Sequence, residues 1–181
     1  MQGRKSRLLW AAGVAAVAVV AVVASAIATD GGGKARGQLE GYQEVPAVST
    51  KATGSFSARI VENGTAIAYT LRYSGLEGSA TAAHIHLGQK GVNGGVAAFF
   101  CSNPPTSSTG PQRCPTPAGT VSGTIRAANV IGPTGQGIAP GEFGELIRAL
   151  HRGVTYANVH SAKFPSGEIR LQLRQGRRGH R

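Results

Sequence analysis

The sequence is short of aromatic and acidic residues. Phe, Tyr and Trp together make up 6% of 181 positions, with a single Trp and a single Met. That is lean for a globular core, but it suits short strands joined by tight turns, as do 27 Gly and 9 Pro. Only eight residues are acidic against nineteen Lys and Arg, a formal charge of +11. Glu40, Glu44, Glu62, Glu77 and Glu168 are scattered over separate stretches, so no pair of carboxylates can be picked for acid–base work. No serine sits in a G-x-S-x-G elbow, and no G-x-x-x-x-G-K-[ST] loop is present. "GQKGVNGGV" is rich in glycine but lacks a phosphate-binding order, and its glycines read as turn residues with positive φ. No catalytic residue emerges, and the chain reads as a non-enzyme.

What is present begins with an export segment. Arg4, Lys5 and Arg7 precede Leu8 to Ala28, a run of 21 uncharged residues ending in the small-residue stretch "ASAIA". Residues 1–29 therefore read as a signal peptide or, since the run just reaches bilayer-spanning length, as a transmembrane anchor. Either way the segment inserts in the membrane at least transiently. Its basic flank stays inside, which places the rest outside the cytoplasm, secreted or anchored. Residues 30–37, "DGGGKARG", have linker composition.

Two cysteines, Cys101 and Cys114, enclose "SNPPTSSTGPQR". In an oxidising compartment a disulfide is expected, contributing on the order of 3 kcal/mol by the loop-entropy model. A soft metal pair and two free thiols are the alternatives, and the first is weakened by the lack of a nearby His. The chain ends in "RLQLRQGRRGHR", which holds Arg170, Arg174, Arg177, Arg178 and Arg181 and no acid. Residues 174–181 read as a basic tail that is solvated or adheres to an anionic surface, envelope polymer or lipid headgroups. Nucleic acid is a poor partner for an exported chain with no aromatic interleaving and no recognition motif.

Between these ends the pattern is β. "TGSFSARIV" puts Phe56, Ala58 and Ile60 on one face, and "TAIAYTLRYS" puts Ile67, Tyr69, Leu71 and Tyr73 on one face. Asn63-Gly64 between them is a hairpin signal. "QLEGYQEV", "ATAAHIHLG", "GGVAAFFC", "GTVSGTIRA", "TYANVHSAKF" and "GEIRLQLR" supply the other strands. One segment has helical spacing: Phe143, Leu146, Ile147 and Leu150, with Glu142 at its start and His151, Arg152 and Gly153 at its end. The expected fold is all-β, an antiparallel Greek-key β-sandwich or barrel of about eight strands with one short α-helix.

"LEGYQEVPAV", "AHIHLGQKGVNGGV", the paired cysteines around a Pro-rich loop, and "LIRALHRGVTYANVHSAKFPSGEIRLQL" together resemble the CHRD domain, named after chordin and present in exported bacterial proteins. The resemblance covers about Gln38 to Leu173 and sets the domain at residues 38–173. Gly95 and Ser161 depart from it, where the family often has Pro and Thr. It implies a β-sandwich-like exported module of poorly defined biochemical role. Chordin's own activity as an extracellular antagonist is not carried over, since its cysteine-rich ligand-binding modules have no counterpart here.

The histidines are the one candidate site. His84 and His86 share a face by strand parity, and so do Asn158 and His160, with Ile85 and Val159 facing the other way. If the two strands are neighbours, three imidazoles converge, with Asn158 or Glu168 close by as outer partners. Three histidines suit zinc or copper. The H-x-H strand is also similar to that of copper–zinc superoxide dismutase. His151 belongs to the helix and His180 to the tail, however, which leaves too few for a bridged two-metal centre. The preferred expectation is a buried polar seam that needs no cofactor, each imidazole hydrogen-bonded. A mononuclear zinc or copper site at His84, His86 and His160 is the alternative. The expected function is a non-enzymatic extracellular or cell-surface module with a binding or structural role and an unnamed ligand.

Overall fold

Alternation of bulky and polar side chains becomes eight strands in the computed structural model, which describes residues 33–105 and 110–174. The strands are β1 (Lys34–Glu40), β2 (Thr53–Val61), β3 (Ala66–Ser74), β4 (Ala80–Leu87), β5 (Val96–Ser102), β6 (Gly119–Ile125), β7 (Thr155–Ser161) and β8 (Ile169–Leu173). A single α-helix, α1 (Phe143–Arg152), stands between β6 and β7 among the described residues. Every pairing is antiparallel, in the order β5-β4-β7-β8-β1-β2-β3-β6. The sheet curls into a nearly closed barrel whose end strands, β5 and β6, meet without a ladder. Gln112 spans that seam: its carbonyl accepts from the Ser102 N–H and its Nε2 donates to the Ser122 carbonyl. The all-β expectation, with eight strands and one helix, is what the chain adopts.

The local signals act as their chemistry requires. β2 and β3 pair down to Val61 opposite Ala66, and the turn between them puts Glu62 and Asn63 in the left-handed region, at φ 51° and 54°. Asn tolerates that conformation and Gly64, at φ 93°, completes it. On α1, Phe143, Leu146, Ala149 and Leu150 are buried on one side, and Gly153 closes the helix at φ 68° with its N–H turned back to the last carbonyls. The helix's apolar residues join Leu39, Phe56, Ile67, Leu71, Ile85 and Val159 in one core. Cys101 and Cys114 are joined by a disulfide, with Cα atoms 5.0 Å apart, tying β5 to the segment that leads into β6.

The first strand begins at Lys34, four residues before the boundary set at Gln38, so the end of the expected 30–37 linker is sheet. "KARG" shows no bulky alternation, yet it pairs with β2 from Lys34 opposite Arg59 onward. Ala35 is buried there, and a Cβ at Gly37 would stand 2.7 Å from Leu171 Cδ1, so glycine lets β1 lie close to β8. Tyr156, on β7, is 3% exposed. Among the described residues no helix is long and apolar enough to cross a membrane. Residues 1–32, which hold the segment Leu8 to Ala28 and the start of the linker, and residues 175–181 lie outside the described residues.

Burial divides the sheet in two. β1, β2, β3 and β6 bury one side and leave the other wet, in near-strict alternation. β7 is buried at every residue, and β8 at all but Gln172, because the loops at 41–48, 88–95 and 164–168 cover their outer side.

Candidate functional site

The covered half holds the polar layer. β4 pairs with β7 so that His84 lies opposite Asn158, His86 opposite Tyr156 and Ala82 opposite His160. Strand parity then turns His84, His86, Tyr156, Asn158 and His160 to one side, while Ala83, Ile85, Ala157 and Val159 enter the apolar core. The three imidazoles that parity placed on two separate faces thus form one cluster. Ring centroids are 4.8 Å apart for His84 and His160, 5.2 Å for His84 and His86, and 5.9 Å for His86 and His160. One ring nitrogen from each lies within 4.8 Å of the others. All three residues are shielded, at 8%, 6% and 9% exposure.

Two backbone carbonyls orient the rings. His86 Nδ1 is 3.0 Å from the Gly94 carbonyl, and His160 Nδ1 is 2.9 Å from the Pro165 carbonyl. A carbonyl only accepts, so each Nδ1 carries the proton and each Nε2 is a bare lone pair. Gly94 reaches this place because it has no side chain: a Cβ there would collide with the Leu87 carbonyl. His84 Nδ1 sits 3.1 Å from His160 Nε2. Around the rings, Phe99 meets His84 edge-on at 4.4 Å, and Tyr156 stacks on His86 at 4.6 Å with the planes 5° apart.

The surroundings keep the cluster neutral. Burial, reinforced by repulsion from His160 and His86, pushes the His84 imidazole down to about 3. Burial pushes His86 down to about 4, against the bond to Gly94 and together with His160 and Arg170. Burial also lowers His160, opposed by its bond to Pro165. Nearby, burial drives Glu44 up to about 7 despite the Arg170 charge and the Asn158 bond.

The expected outer partners act elsewhere. Asn158 donates to Glu44 Oε1 at 2.5 Å. Glu168 Oε1 accepts from Thr50 Oγ1 and the Glu77 N–H, fastening the loop before β2 and the loop between β3 and β4 to the residue that precedes β8. Arg170, counted by sequence with the basic end, is 1% exposed. Its guanidinium lies 3.4 Å from the Tyr156 ring centroid and donates to Asn93 Oδ1 and to the carbonyls of Val92 and Gln89. It therefore clamps the loop that delivers Gly94 to His86. Glu44, Tyr156, Gly94, Pro165 and Arg170 were missed as site residues. The available signal was the parity of Arg170 with Gln172, opposite Ile169 and Leu171.

The wet half carries a different surface. Lys34, Arg36, Arg59 and Arg72 all point outward and are exposed. Lys34 is register-paired with Arg59, two like charges directly opposite each other. The ion pairs of the described residues use other cations: Arg126 with Glu62, Arg148 with Glu145 and Lys163 with Glu77. Between the cations lie Ser57, Thr70, Ser55, Thr120 and Gln38, which line two shallow depressions of about 320 and 410 Å³. Of the terminal arginines, Arg174 is described and exposed, while Arg177, Arg178 and Arg181 lie outside the described residues.

Compared with known proteins, the chain matches one family model, the CHRD domain, over residues 36–173. No curated protein and no solved structure matches it.

Proposed function

The chain belongs to the CHRD domain family, and on that premise we propose that it is an exported, non-enzymatic module that binds an anionic polymer of the cell envelope. The observation that carries this reading is the outward face of β1–β3. Opposed like charges cost a sheet stability, and Lys34 and Arg59 stand opposite each other with no acid between them. A polyanion supplies the missing counter-charge, and the hydroxyl and amide groups of Ser57, Thr70 and Gln38 suit a hydroxylated backbone. A bilayer surface fits less well. Among the described residues the exposed large apolar side chains are Tyr42, Val92 and Ile131, and none belongs to β1, β2 or β3, so these strands offer no apolar group to insert among lipids. Export rests on Arg4, Lys5 and Arg7 ahead of the apolar run from Leu8.

Retention of the purified protein on immobilised dextran sulfate, beside neutral dextran and anionic vesicles, tests the reading. Binding to the sulfated polymer alone is expected, weakening as salt shortens the range of the charges. Joint substitution of Arg36→Gln, Arg59→Gln and Arg72→Gln should lower affinity roughly tenfold or more. Unchanged binding in that variant, with binding lost on removal of residues 175–181, would transfer the function to the tail.

A further inference from the structure

We infer that His84, His86 and His160 form a binding site for one transition-metal ion, zinc or copper, buried between β4, β7 and the loops that carry Gly94 and Pro165. The inference does not depend on the polyanion-binding face, which lies on the other half of the sheet.

A count of protons and lone pairs carries it. Three neutral imidazoles bring three N–H groups and three bare nitrogens. Two of the protons are held by the carbonyls of Gly94 and Pro165. The third, on His84 Nδ1, points at His160 Nε2. Nothing is left for His84 Nε2 and His86 Nε2, which are buried without a hydrogen-bond partner. The expected polar seam is thus half made: every ring has a bond at Nδ1, but two lone pairs have no donor. Buried polar atoms are satisfied in the great majority of cases, and the two rings with a shortfall belong to a trio that brings one nitrogen from each within 4.8 Å of the others.

An electron-pair acceptor resolves the shortfall where a proton does not, because a further proton would confine a whole positive charge to one buried ring beside two others. A metal ion shares its charge over all three rings at once. One pair already has the spacing, and the third nitrogen lies within 4.8 Å: nitrogens about 2.0–2.1 Å from a tetrahedral ion stand roughly 3.3 Å apart. His84 Nδ1 and His160 Nε2 are already at 3.1 Å. His84 can offer either nitrogen, depending on which one its proton leaves. The outer partners also fit, since ligating imidazoles characteristically donate their other N–H to a carbonyl or carboxylate, as His86 and His160 do. The donor set selects the ion. Three neutral nitrogens with neither thiolate nor carboxylate suit zinc and copper and offer little to calcium or magnesium, which take oxygen ligands.

The test uses the purified full chain, stripped with chelator and then dialysed against zinc chloride or copper sulfate. About one ion per chain should remain by elemental analysis, and the better retained of the two metals names the site. Nitrogen chemical shifts should move for three of the five histidines, leaving His151 and His180 in place. The melting temperature should rise by about 5–10 °C at hundredfold excess over Kd. The paired substitution His86→Ala and His160→Ala should weaken retention more than about hundredfold, whereas His151→Ala with His180→Ala should leave it intact. If the first variant fails to fold, the histidine shifts of the unsubstituted chain decide the matter. No retained ion, or shifts confined to His151 and His180, would overturn the site.

Discussion

The two halves of the sheet follow the same alternation and reach opposite outcomes. In β1, β2, β3 and β6 the polar positions face water, and Ser, Thr, Lys and Arg stand there without needing partners. In β4, β7 and β8 the same parity points under covering loops, and the residues change character to His84, His86, Tyr156, Asn158, His160 and Arg170. Each of these has a directional partner: Gly94, Pro165, Glu44, Asn93 or another ring. A polar side chain on a wet face is nearly free of obligation. Under cover it must be satisfied or it destabilises the fold, and the covered half departs from that rule at His84 Nε2, His86 Nε2, Thr155 Oγ1 and Glu168 Oε2.

The largest expected effect comes from breaking the covered half. Arg170→Met removes the guanidinium from Tyr156 and from three acceptors in the 89–93 loop, and it leaves buried Glu44 without its compensating charge. Loss of one member of such a buried set costs about 3–5 kcal/mol, measurable as a shift in urea midpoint. A cost under about 1 kcal/mol would mean that the loop is held by other contacts and that the two halves are alike.

Acid should come next. In metal-free buffer His84 and His86 titrate in the folded chain at about 3 and about 4, against 6.5 when unfolded, and His160 shifts the same way. Below pH 6.5 the unfolded chain takes up protons that the folded chain refuses. The stability these residues contribute is therefore full above 6.5 and is lost as pH falls towards 3. Glu44 acts with the opposite sign, since its folded value is about 7 against 4.5. Its contribution is full below 4.5 and lost as pH rises through 7. Three imidazoles outweigh one carboxyl between 4.5 and 6.5, and below 4.5 Glu44 adds nothing further. The melting temperature should fall from pH 6.5 to 4.5 and more steeply below that. A flat profile would place the imidazoles in contact with solvent.

The smallest effect sharpens the comparison from the wet side. Arg72→Met, on the exposed face of β3, should change stability by no more than about 0.5 kcal/mol in the same urea titration. A loss comparable to that of Arg170→Met would show that the outward face is structurally engaged.

Most of the architecture was legible because alternation is a local property. Phe56, Ala58 and Ile60, or Ile67, Tyr69, Leu71 and Tyr73, announce a one-sided strand wherever they occur, and Phe143, Leu146 and Leu150 announce a helix. Strand parity likewise put His84 with His86, and Asn158 with His160. The start of β1 was not legible: "KARG" is a strand only because β2 offers it a ladder and Leu171 fills the space over Gly37.

What the sequence determined by itself is which side of its own strand each residue occupies, since a side chain's direction follows from its neighbours along the chain. Which strands adjoin, and which of their polar faces is roofed, depends on contacts between residues distant in sequence. His84 and His160 are 76 positions apart and touch only because β4 pairs with β7. Arg170 and Arg174 lie in the same run of basic residues, yet one is buried under the 89–93 loop and the other is exposed. Charge and alternation are written along the chain, but solvent exposure belongs to the assembled barrel, because water is excluded only by what folds over a residue.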